Sequence, residues 1–222
     1  MNPASRPRGV YSPVVTPFSS NLHPDHDRFL RHCRWLTDQD VGLAVFGTNS
    51  EANSLAVDEK KRLLDTLVSA GLPVERLMPG TGCAALTDSI ELTKHAVASG
   101  CHHVLMLPPF YYKGVSDDGI FRSFAEIIER VGSDALRIYV YHIPQVSQVP
   151  LGLALIERLH TRLRGVECEC LGTGRWGGKG ECQQYRCRCE ASHARCTKSL
   201  RQHGHPAVNA SQPMSQAIPA VI

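Results

Sequence analysis

The chain has 222 residues, enough for one substantial hydrophobic core or for a domain with an appendage. Its 42% hydrophobic and 20% charged residues are the proportions of a soluble globular protein and exclude a wholly disordered or fibrous chain. A formal charge of only +3, no apolar run long enough to cross a bilayer and no apolar leader in MNPASRPRGVYSPVV point to a cytoplasmic protein with reduced thiols and no nucleic-acid or membrane partner.

In chain order, Val10–Thr16 reads as a short buried strand. Behind Pro24, placed in a first turn, Phe29, Leu30, Cys33 and Leu36 recur at helical spacing. Leu43–Phe46 is a continuous apolar run ending at Gly47, the pattern of a parallel strand covered on both faces. A second amphipathic helix carries Leu63, Leu64, Leu67 and Val68 and is closed by Gly71 and Pro73. Arg76–Gly82 is expected to be the third strand and Asp88–Ser99 the third helix, stopped by Gly100. Val104–Leu107 is the fourth strand. Ser116 caps a helix bearing Phe121, Phe124, Ile128 and Val131. Ile138–Ile143 and Leu153–Leu163 complete a fifth unit.

Five successive strand–helix units imply a parallel sheet, and spacing alone leaves a doubly wound sheet and a (β/α)8 barrel both open. Polar residues gather at the strands' C-terminal ends, where such folds place their sites: Thr48 and Asn49, Thr81, Tyr111 and Tyr112, Tyr141 and His142.

Beyond residue 166 this pattern stops. Residues 1–166 hold 17 Lys/Arg against 17 Asp/Glu, whereas residues 167–222 hold 7 against 4 and six of the nine cysteines. The tail shows neither strand nor helix periodicity and is read as disordered. It contains Cys168-x-Cys170, Cys182, Cys187-x-Cys189, Cys196 and His193, donors suited to zinc but without the C-x2-4-C knuckles of structural sites. Its Gly172-Thr173-Gly174-Arg175-Trp176-Gly177 matches a dinucleotide fingerprint but lacks the strand before and the helix after. A simultaneous change of charge, period and composition at one point fits a tail translated out of frame, read from a retained intron or joined by a genuine fusion. The reading from another functional class is a small Cys/His-rich metal-binding or interaction protein built on that tail.

The segments GVYSPVVTPF (9–18), FGTNSEANSL (46–55), MPGTG (78–82), ELTKHAVASG (91–100), LPPFYYKGVSDDG (107–119) and VYHIP (140–144) keep order and spacing across the first part. Together they resemble the dihydrodipicolinate synthase / N-acetylneuraminate lyase family over about residues 8–166. The resemblance implies a (β/α)8 (TIM) barrel, of which about five of eight units are present, and usually a homotetramer, an assembly that an incomplete barrel puts in question. It implies a lyase or aldolase acting on pyruvate-type 2-keto acids through a Schiff-base lysine, with no metal or organic cofactor. An iminium formed by that lysine stabilises the carbanion made when a C–C bond forms or breaks.

By the same resemblance, Gly47, Thr48 and Asn49 hold the substrate carboxylate. Tyr141 shuttles protons, and Tyr111 with Thr48 completes the relay, adjacent Tyr112 competing with Tyr111 for its place. A phenol suits the task because one oxygen both donates and accepts. Three departures stand out. Ser50 replaces a glycine in the carboxylate motif, so its loop backbone is expected to differ. Val146 stands where dihydrodipicolinate synthases place an arginine for the second substrate. The lysine that should end a sixth strand is missing together with strands six to eight, so the chain is expected to be inactive or impaired.

Overall fold

The computed structural model describes Pro7 and residues 9–167; the tail's cysteine cluster, its glycine motif and its expected disorder all lie outside the described residues. The elements are β1 (Tyr11–Pro13), α1 (His26–Asp38), β2 (Gly42–Ala44), α2 (Val57–Ser69), α3 (Leu86–Ala98), β3 (His103–Met106), α4 (Asp117–Val131), β4 (Arg137–Val140), the single turn α5 (Pro144–Ser147), α6 (Leu153–Arg162) and β5 (Val166–Glu167).

Helix starts follow local chemistry. Asp25, not Pro24, begins α1: its carboxylate accepts from the Arg28 amide at 2.9 Å, and Pro24 lies one residue outside. Glu59 in the first turn of α2 reaches back to the Ala56 amide at 2.9 Å. Ser116 caps α4 through the Gly119 amide at 3.2 Å, and Gly132, at φ 63°, ends it in the left-handed conformation.

All strand pairs are parallel. β1 runs beside β2 with Tyr11 opposite Gly42, while β4 lies between β3 and β5, with Val104 opposite Ile138 and Ile138 opposite Val166. The expected third strand takes a different form. Val74–Arg76 is a 3-10 turn, and residues 77–81 make only isolated bridges to β2 and β3. Pro79 is the physical reason, since it has no N–H to continue a ladder. The segment nonetheless joins both sides: the Met78 amide donates to the Leu43 carbonyl at 2.8 Å and Gly80 to Val45 at 2.7 Å, while Thr81 donates to Leu105 at 2.9 Å and Leu105 to Pro79 at 3.0 Å.

The strands therefore lie in space in the order in which they occur in sequence. Successive helices touch in the same order: α1 on α2, α2 on α3, α3 on α4, and α4 on α6. A doubly wound sheet would reverse its strand order and put helices on both faces. Here alternate strand residues Leu43 and Val45, Val104 and Met106, Ile138 and Val140 face the helices, packing with Phe29, Leu63, Leu67, Phe124, Leu155 and Leu159 in the main core. The opposite face forms a separate small cluster of Met78, Leu105 and Tyr139, with Tyr11 and Tyr141 against it. Packing of residues from β1 and from β4 against one inner cluster is the mark of a sheet curling into a barrel. One expectation needs correcting: the sixth strand is not wholly missing, because β5 begins it and pairs with β4, its first residue Val166 buried.

Gly80 sits where two chains nearly touch: a Cβ there would lie 2.1 Å from the Phe46 carbonyl oxygen. Gly80→Ala is expected to lower unfolding free energy by roughly 1–3 kcal/mol or more, the cost of forced overpacking against backbone. A urea-denaturation midpoint equal to that of the parent chain would contradict it.

Candidate active site

At the C-terminal ends of these strands an open cleft of about 320 Å³, its solvent-filled mouth included, is lined by Phe46, Gly47, Thr48, Ala52, Asn53, Gly80, Gly82, Leu105, Leu107 and Tyr141. Its floor is backbone. Gly80 lies under the Phe46 carbonyl, and a Cβ on Gly82 would meet the Leu107 amide nitrogen at 2.3 Å. Only glycine permits both approaches, so the alternation of glycines in MPGTG is a packing requirement that keeps the cleft open. The lining carries no charged side chain among the described residues, and therefore no lysine.

Thr48–Ser50 forms a 3-10 turn entered from Phe46, at φ 60°, and left through Glu51, at φ 55°. The turn uses the Ser50, Glu51 and Ala52 amides, which donate to the carbonyls of Gly47, Thr48 and Gly47 at 3.1, 3.1 and 3.3 Å. Ser50 itself does not take a positive φ, so a glycine's freedom is not required there. Its side chain is fully buried and its hydroxyl donates to the Val14 carbonyl, while the Thr16 hydroxyl donates to the Ser50 carbonyl at 2.8 Å. Ser50 thus fastens the loop to the end of the first strand.

The sequence-derived residues divide. Gly47, Thr48 and Tyr141 line one cleft although they come from distant segments. Asn49 is exposed and is not part of the lining. Tyr111 and Tyr112 are 70% and 75% exposed, meet edge to face at 5.1 Å, and lie outside the cleft. Their loop is strapped down by Lys113, whose ammonium donates to the Phe110 carbonyl and to the Ser147 carbonyl at 3.0 Å. Residues that sequence reading did not single out as site residues are Phe46, Ala52, Asn53, Gly80, Gly82, Leu105 and Leu107; the two-residue spacing of glycines in MPGTG was the available signal for the floor.

Next to Tyr141, His142 accepts the Leu151 amide through Nε2 at 3.2 Å, and partial burial holds its pKa below the usual imidazole value. Val146 is 56% exposed in the turn that follows. Among the described residues no three His, Cys, Asp or Glu side chains are grouped as a metal ion requires, and no helix is long and apolar enough to cross a membrane.

A parallel barrel segment with a cleft on its C-terminal edge, largely apolar with a few polar groups, defines the class, and comparison with known proteins gives the family. The dihydrodipicolinate synthetase family model matches residues 6–168, and the chain belongs to that family. An uncharacterized DapA-like lyase of Chloroflexus aurantiacus is 37% identical over 157 residues, covering 70% of this chain and 52% of that protein. The crystal structure of dihydrodipicolinate synthase from Agrobacterium tumefaciens superposes with a TM-score of 0.69 at 29% identity, over 76% of this chain and 59% of that one. A prophage protein of the dihydrodipicolinic acid synthase family from E. coli, solved in complex with pyruvate, gives 0.61 at 26% identity, over 68% and 50%. The fold is therefore part of a TIM barrel. The chain spans about half the length of the curated relatives it matches.

Two outcomes follow from this geometry. Ser50→Ala leaves the buried Val14 carbonyl without its donor and should cost about 1–3 kcal/mol in chemical denaturation; a cost near zero would show that the hydroxyl does not fasten the loop. Protonating His142 breaks its bond from the Leu151 amide. Its lowered folded-state pKa means that its contribution is present above the unfolded value and shrinks as pH falls from about 6.5. Thermal scans should show stability falling more steeply with acid for the parent than for His142→Asn.

Proposed function

We propose that the cleft is the 2-keto-acid site of a Schiff-base aldolase or lyase of the pyruvate-dependent type, present here without its covalent catalyst. The observation that carries this reading is the convergence of Gly47, Thr48 and Tyr141 on one cleft over a glycine floor. The 3-10 turn leaves the Thr48 and Asn49 amides outside its own hydrogen bonds, and with the Thr48 hydroxyl these are neutral donors suited to a small carboxylate. Asn49 acts, on this reading, through its backbone. The Tyr141 phenol supplies proton transfer at the carbon end of the substrate. Tyr111, exposed and outside the cleft of its own chain, would complete the relay in the site of a second copy.

Covalent catalysis needs an amine in contact with the substrate carbonyl. The described lining offers none, and Lys179 and Lys198, the lysines of the tail, follow no apolar strand in sequence. The chain as it stands would bind a 2-keto acid without forming the iminium. Val146 in place of an arginine removes a cation–carboxylate contact, which disfavours the lysine-pathway substrate and favours another aldol-type or dehydratase reaction on a 2-keto acid.

Borohydride trapping of the full chain with pyruvate is expected to give no lysine adduct by mass spectrometry. Saturation-transfer NMR should still detect pyruvate bound, with the signal lost in Thr48→Val. A stoichiometric adduct on any lysine would overturn the claim of impairment, and absence of binding by the folded parent would overturn the site.

A further inference from the structure

Three cysteines lie among the described residues, and they differ in kind. Cys33 and Cys101 are fully buried, and burial pushes both thiols up to about 12, which closes them to oxidants. Cys83 is only partly covered. It follows directly on Gly82 of the cleft floor, and its amide is fixed by the Ser89 hydroxyl at 2.9 Å.

Its partner is unusual. Lys60, in the first turns of α2, is 96% buried, its exposure being 4%. Lysine is almost never buried to this degree without a carboxylate. Neighbouring Lys61 meets the expectation, with Glu91 at 2.8 Å and Asp58 at 3.3 Å. Lys60 does not: among the described residues it has no ion pair, and its Nζ donates to the Cys83 Sγ at 3.8 Å. A primary amine is thereby held against the thiol of a residue that is only partly covered. Burial raises the Cys83 pKa, the Lys60 charge draws it back and Asp88 adds a smaller upward push, so the thiol waits mostly protonated and reacts through its thiolate fraction.

We infer that Lys60 and Cys83 form an oxidation-sensitive modification site, at which a peroxide drives a reversible sulfenamide cross-link between α2 and the segment behind the cleft floor. In the first step the thiol sulfur is oxidised and the peroxide O–O bond is reduced, giving Cys83 sulfenic acid and one water. In the second, Lys60, having shed a proton, attacks the sulfur through Nζ. An S–N bond forms, the S–O bond breaks, and the hydroxyl leaves as a second water with the other amine proton. Sulfenic acids are captured by nitrogen nucleophiles in this way, and thiol reductants restore the free pair. The flexible lysine stem supplies the shortening from contact to bond distance. The site is independent of the cleft's proposed keto-acid chemistry.

The test treats the full chain with hydrogen peroxide and maps its peptides by mass spectrometry. The expected product joins the peptides containing Lys60 and Cys83, lighter by two hydrogens than their sum, and dithiothreitol reverses it. Lys60→Arg keeps a buried cation without a nucleophilic amine; it should reduce the cross-link at least about tenfold and leave Cys83 as sulfinic acid. Lys60→Gln with matched circular dichroism serves if arginine does not fit. Unchanged Cys83, a disulfide from Cys83 to another cysteine, or equal oxidation products in parent and lysine variants would each overturn the inference.

Discussion

Residues 77–81 are the seam on which the molecule depends. Without them β1 and β2 form a two-stranded sheet and β3, β4 and β5 a three-stranded one, with no direct ladder between the two. The four backbone bonds from Met78, Gly80, Thr81 and Leu105 join these parts, and they do so despite Pro79, which prevents a regular strand. Because Gly80 and Gly82 have no side chains, the seam runs close beneath Phe46 and Leu107 and leaves a cleft above itself. Fold continuity and the existence of the site thus rest on one short segment, residues 77–82.

The rest of the site is held by attachments at a distance from its lining. Ser50 and Thr16 tie the turn at Thr48–Ser50 to the end of the first strand, Lys113 ties the loop of Tyr111 and Tyr112 to the turn after β4, and the Leu151 amide holds His142. The first two are hydrogen bonds between loops that follow different strands, and the third closes the segment between β4 and α6 on itself. Such bonds fix loop positions that strand pairing leaves free, and they explain how a cleft persists on a barrel of which only the first part is described.

Much of this was legible in sequence, for identifiable reasons. Helices with an apolar stripe, a cap and a glycine stop were placed within a few residues: α4, with Ser116 before it and Gly132 after it, is the clearest case. The position of Thr48 and Tyr141 followed from motif order. What was missed depended on contacts between segments. Nothing local in Arg76–Gly82 says that its hydrogen bonds would divide between two neighbours, and nothing local in Ser50 says that its hydroxyl would reach Val14, 36 residues away. The two-residue β5 was overlooked because an apolar strand cannot be recognised from Val166 alone.

By itself, the sequence determined the alternation of parallel strands and helices, the residues that turn toward the helices, the family, and the break in composition after the fifth helix. Those properties follow from periodicity, capping and motif order, which are local. The tertiary structure decided between barrel and open sheet, because only the contacts of successive helices and the inner cluster of Tyr11 with Tyr139 report curvature. It also decided that Gly47, Thr48 and Tyr141 share a cleft while Asn49 and Tyr111 do not line it, and that Lys60 meets Cys83. Pairings between distant segments are set by how the chain packs, and no stretch of sequence carries them alone.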